Sequence, residues 1–123
     1  MYEASIILPV RDNSGNALAV LLERLEEQLT LLYGGVTIHS AKGRYMCDNG
    51  NMVSEPVHIV TVAIPNGDLA ENTLRQFAAR FARDAGQETV YLRLPDGHVE
   101  FIGPGSPYVG QDFTQGEKPN VLA

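Results

Sequence analysis

Apolar positions along this chain follow two rhythms. YEASIILPV (2–10) is a short run with β-branched residues, and it predicts a first strand. RDNSGN (11–16) is loop chemistry. The period then changes. In ALAVLLERLEEQLTLLYGG (17–35), Leu18, Leu21, Leu22, Leu25, Leu29 and Leu32 recur at the spacings of one helix face. Glu23, Arg24, Glu26, Glu27 and Gln28 fill the other face, and Gly34 is placed to end the helix in a left-handed turn.

A second strand is expected over VTIHSAKG (36–43), with Tyr45 at its end, and a third over VHIVTVAI (57–64), opened by Glu55 and Pro56. The polar CDNGN between them predicts a hairpin or a longer β-connection. After Pro65-Asn66-Gly67, Asp68 with Glu71 three residues on has the form of a capping box. Leu74, Phe77, Ala78, Phe81 and Ala85 then make the stripe of a second helix, closed by Gly86. ETVYLRL (88–94) reads as a fourth strand, Pro95-Asp96-Gly97 as a tight turn, and HVEFI as a fifth strand pairing back. The order βαββαβ is that of the α+β ferredoxin-like fold: an antiparallel sheet, both helices on one face, and here an extra hairpin strand. Residues 1–102 are expected to form a single domain, and the Gly/Pro-rich 103–123 an extended tail.

Composition narrows the function classes. The chain of 123 residues carries a formal charge of −6, and its nine Lys+Arg form no basic cluster. Phosphate neutralisation supplies most nucleic-acid affinity, so no nucleic-acid partner is expected, nor an anionic membrane surface. The single cysteine, Cys47, rules out an internal disulfide and suits a reducing compartment. No segment approaches the roughly 18 apolar residues of a membrane span, and the start lacks signal-peptide character, so a cytoplasmic, soluble protein is expected. The third strand is apolar on both sides: Val57, Ile59 and Ala63 alternate with Val60, Val62 and Ile64. One side faces the helices; the other needs a cover, for which a second subunit is expected, in a homo-oligomer (dimer or trimer), with the C-terminal tail as the alternative cover.

Candidate chemistry is sparse. His39, His58 and His98 lack the spacing of a zinc motif and read as ordinary strand-face residues; no metal and no cofactor are expected. Cys47 has no evident activating base and reads as a plain thiol. Tyr45 and Glu55 stand out. On the two arms of a hairpin they face each other across its loop, where a phenol and a partly buried carboxylate can hold a cationic or polar ligand. The competing reading is a surface glutamate beside a packing aromatic. Gln87, after the Gly86 stop, can reach a ligand at the sheet rim or simply close its loop.

GGVTIHSAKGRYMCDNGNMVSEPVHIVTVAI and RDAGQETVYLRL together resemble a bacterial family of small ferredoxin-like proteins with no assigned activity. The shared features are a Gly-x-aromatic, a glycine turn, a Glu opening the next strand and a late Gly-Gln-Glu-Thr-Val, over about residues 4 to 94. A more distant resemblance, carried by Gly43, Tyr45, Glu55 and Gln87, is to the bacteriophage S-adenosylmethionine lyases. It implies a trimer with substrate between subunits, and cleavage of S-adenosylmethionine to methylthioadenosine and homoserine lactone. Tyr45 and Glu55 would be catalytic and Gln87 ligand-binding. The turn MCDNGNMVS and the tail depart from the phage pattern. Two other readings stand beside this one: a non-enzymatic oligomeric regulatory or interaction module, and a cofactor-free oxygenase or isomerase using His58.

Overall fold

The computed structural model describes residues 1–105, so most of the 103–123 tail lies outside the described residues. The elements are β1 (Tyr2–Pro9), α1 (Ala19–Tyr33), β2 (Val36–Met46), β3 (Met52–Ile64), α2 (Asp68–Ala85), β4 (Val90–Arg93) and β5 (Val99–Ile102). All pairings in the sheet are antiparallel, in the order β2-β3-β1-β4-β5. This is the ferredoxin-like arrangement with β5 added beside β4.

Strand alternation explains the core. Ala4, Ile6 and Leu8 of β1 lie opposite Val62, Val60 and His58 of β3, and this set faces the helices. Leu22, Leu25 and Leu29 of α1 and Leu74, Phe77, Ala78, Phe81 and Ala85 of α2 pack onto it. Val90, Leu92 and Ile102 extend the same layer across β4 and β5. Leu32, assigned to the α1 core stripe, is exposed near the helix end instead. Gly34 ends α1 at φ 91°, donating its N–H to the Thr30 carbonyl at 2.8 Å.

Two local expectations need correction. The capping box at Asp68 does not form: Gly67 is the N-cap, with no side-chain cap bond, and Asp68 and Glu71 both fall in the first helical turn. Their carboxylates complement the positive helix end without capping it. The β2–β3 hairpin is longer than the apolar pattern suggested. Polar residues that read as an open loop, Arg44 and Ser54 among them, pair in the ladder. Cys47 and Asn51 close a short loop in which Gly50 takes φ 87°.

Pro56 sits inside β3 without breaking the ladder to β2. Its carbonyl accepts the Val10 N–H at 3.2 Å, so its missing N–H lies on the side away from β2, and the Val10 carbonyl accepts the Leu18 N–H at 2.8 Å instead. Beyond that point the hairpin continues as a two-stranded arm.

Candidate functional site

Glu55 lies inside β3, opposite Gly43, not before the strand as its position beside Pro56 suggested. Tyr45 lies opposite Val53, within β2. The two residues therefore meet within the ladder, not across an open loop. Alternation sets their direction: Gly43 and Tyr45 are two apart in one strand, and Glu55 is level with Gly43. All three share the sheet face turned away from the helices.

Gly43 makes the arrangement possible. The Tyr45 ring lies over it, so that a Cβ there would come within 2.7 Å of Cζ and 2.8 Å of Cε2. The phenol is near enough to the Glu55 carboxylate to feel its charge, with 46% of the residue still exposed. Burial, then repulsion from Glu55, pushes the Tyr45 pKa above 10.0. Burial pushes Glu55 above 4.5. Among the described residues Glu55 has no hydrogen bond or ion pair. The nearest cations in the ladder, Lys42 and Arg44, alternate to the opposite face, and Arg44 donates to the Met52 sulfur at 3.3 Å. The result is a partly desolvated carboxylate beside an aromatic ring with a neutral O–H. Both features suit a compact cation or a polar ligand that donates to Glu55.

The surroundings are apolar. On the same face Val57 is 4% exposed although it does not belong to the helix-side core. Next to it come Ile59 and Ile7, then Tyr91 and Phe101, whose rings meet edge-to-face at 5.7 Å. The face turns polar toward its other end, where Ser5 and Thr61 share a 3.2 Å hydrogen bond beside Arg93. The Tyr45–Glu55 pair thus borders the apolar half.

Gln87 is not brought to the pair. It precedes β4 at the same end of the sheet, but β1 stands between β4 and β3. Its amide donates to the Ala85 carbonyl at 3.4 Å, closing its own loop.

The histidines are dispersed. His58 faces the helices, its Nδ1 2.9 Å from Glu26 Oε2, and ties β3 to α1. That contact occupies the ring on which an oxygenase or isomerase would depend. His39 lies opposite Ile59 on β2, and His98 follows the β4–β5 turn. Among the described residues no group of His, Cys, Asp and Glu is arranged to hold a metal ion, and no helix is long and apolar enough to cross a membrane.

Two features escaped the sequence. One is the Tyr91–Phe101 pair, whose signal was the alternation on either side of the Pro95-Asp96-Gly97 turn. The other is a cleft of about 170 Å³ between the helices, walled by Arg24, Arg80 and Arg83. Its arginines come from two separate segments, and only the packing of the helices unites them.

No protein-family model and no curated protein matches the chain. Among solved structures it is similar to a phage SAM lyase in complex with S-methyl-5'-thioadenosine. The TM-score is 0.59 at 16% identity, over 82% of this chain and 88% of that one. It is also similar to a phage SAM lyase in the apo state, with a TM-score of 0.56 at 16% identity, over 80% of this chain and 83% of that one. At this identity the likeness establishes a shared fold.

Proposed function

We propose that the chain binds a small sulfonium-type cation at Tyr45 and Glu55, and that it is an S-adenosylmethionine lyase. The observation that carries this reading is the unpartnered, partly desolvated Glu55 beside the Tyr45 ring packed on Gly43. The fold shared with phage SAM lyases supports it.

The reaction balances without water or a cofactor. The substrate carboxylate attacks its own γ-carbon, the C–S bond breaks, and its electron pair neutralises the sulfonium as a thioether. Homoserine lactone and methylthioadenosine leave; no proton is transferred. The protein's task is to fold the substrate into the near-attack shape and exclude water. Tyr45 donates its O–H to orient the reacting end. Glu55 attracts the cation, but the positive charge on sulfur disappears along the reaction, so a tight ion pair would stabilise the ground state most. A carboxylate set beside the amino group of the substrate avoids that penalty, because the amino charge survives. Gln87 is the far contact: β3 to β4 is about 10 Å, a span that a nucleoside sulfonium covers.

The exposed apolar half of the sheet, with Phe101 67% exposed, supports a homo-oligomer joined through this face, at whose edge the site lies. The same observation favours a second reading, an oligomeric binding module without turnover. Incubation with S-adenosylmethionine and chromatography for methylthioadenosine separates the two. Product from the native chain, lost in Glu55→Gln, is the expected outcome. A ligand-induced rise in Tm without product selects the module, and neither signal from the intact oligomer sinks the proposal.

A further inference from the structure

We propose that the outward side of α2 is the docking surface of the chain's own C-terminal segment, residues 106–123. This surface lies across the sheet from Glu55 and is independent of the lyase reading. Leu74, Ala78, Phe81 and Ala85 form the stripe of α2 that packs into the core. At about 100° per residue, Gln76 points about 170° away from the centre of that stripe, and Ala79 about 130°. α2 packs on β4 and β5 below it and on α1 through its Phe77–Asp84 flank, so neither layer lies over Gln76. Yet Gln76 is only 7% exposed and Ala79 is fully buried. Leu69 and Arg83 stand seven residues to either side of Gln76, on the same line of the helix. Leu69 is 81% exposed and the Arg83 side chain 53%. Between these open positions Gln76 is covered.

The buried glutamine also asks for a donor. Its Oε1 is sealed from solvent and accepts no hydrogen bond among the described residues. Buried acceptors are nearly always paired, and backbone N–H groups of a chain laid over the helix supply the partner. The chain's own end is placed to do this. Glu100 of β5 holds Arg75 of α2, and two residues on Ile102 lies opposite Val90, so β5 leads toward the C-terminal end of the helix. Gly103 there stands against the Glu88 carbonyl, and Pro104 and Gly105 form a turn, which is the geometry for reversing direction. Eighteen residues follow, SPYVGQDFTQGEKPNVLA. From Ala85 back to Gln76 is about 14 Å of helix, which extended chain spans in about four residues. Tyr108 and Val109 are thus within reach of Ala79 and Gln76, and they bring apolar side chains to the spot. A segment committed to α2 leaves the outer apolar face of the sheet to a second subunit.

The test uses the full chain in two arms. A nitroxide on Gln111→Cys, with Cys47→Ser to keep the labelling single, should broaden the amide NMR signals of residues 72–83, and dilution should leave the broadening unchanged. Broadening centred on Ile59, Tyr91 and Phe101 instead, broadening that fades on dilution, or none at all would each overturn the proposal. The second arm follows chymotrypsin cleavage after Tyr108 and Phe113. Gln76→Glu sets a charge where the cover excludes water, and should speed both cuts by about tenfold or more, with far-ultraviolet circular dichroism unchanged. Cleavage of that variant at the native rate would overturn the proposal as well.

Discussion

At the scale of single residues, Gly43 decides the geometry of the pair. Its missing side chain is the slot that the Tyr45 ring occupies, so the tyrosine is held by what its neighbour lacks. Gly43→Ala should expel the ring toward solvent, because a half-exposed side chain yields more easily than a ladder. Stability should then change by no more than about 1 kcal/mol, while the site is lost. Leaving the burial and the Glu55 charge that raise its pKa, the Tyr45 phenol should titrate nearer 10.0, which ultraviolet difference titration against Tyr45→Phe would read. An unchanged Tyr45 titration would show that the slot is not what holds the ring. Part of this was legible in the sequence. Gly-x-Tyr in any strand puts both residues on one face, and Glu55 was marked by an acid beside an apolar run. What could not be read was the register, which places Glu55 level with Gly43 and depends on where the five residues Cys47–Asn51 close the turn. Gln87 shows the reverse limit: its place at the sheet rim was legible, but its separation by β1 follows from strand order alone.

Among the elements, α2 and the short strand β5 are joined by one clamp. Arg75 donates Nε to Glu100 Oε1 at 2.7 Å and Nη2 to Oε2 at 2.9 Å, and Nη1 to Asn72 Oδ1 at 2.6 Å. The bidentate hydrogen bond from Arg75 holds the Glu100 carboxyl below 4.5. A depressed folded-state pKa means that the stabilisation is complete above the ordinary carboxylate range and disappears as pH falls through the folded value. Glu100→Gln should therefore cost about 1–2 kcal/mol in urea unfolding at neutral pH. The two proteins should converge in acid, below the folded pKa of Glu100. A gap that persists there would mean that packing, not the ion pair, was lost. Periodicity gave β5 its place next to β4, since a tight turn joins neighbouring apolar segments. It gave no hint of the clamp, whose partners are 25 residues apart. It also overstated β4, which spans Val90–Arg93 within the predicted 88–94, and read a cap at Asp68 that Gly67 supplies. These errors have one source: local residue preferences mark where an element can begin, and tertiary pairing settles where it does.

For the whole molecule, the asymmetry of the sheet is the main fact. One face is sealed by two helices, and the other carries Val57, which is buried, then the half-buried Ile59, Ile7 and Tyr91 and the exposed Phe101. The two-sided apolar alternation of β3 is thus a division of labour: Val60, Val62 and Ile64 build the core, while Val57 and Ile59 face outward. If this outer face joins copies of the chain, a charge placed on it should dissociate the oligomer without unfolding the protomer. Phe101→Lys meets that requirement, since the residue is exposed and its loss removes no core contact. Light scattering should register a fall to monomer mass, with far-ultraviolet circular dichroism unchanged. Glu55 supplies the functional half of the argument. It borders the apolar patch, and in the proposed oligomer a second subunit would close over it and exclude water. Dissociation by Phe101→Lys should consequently abolish methylthioadenosine formation although Tyr45, Gly43 and Glu55 remain intact. A monomer that turns over at the native rate would place the whole site within one chain, and the apolar face would then need a different occupant.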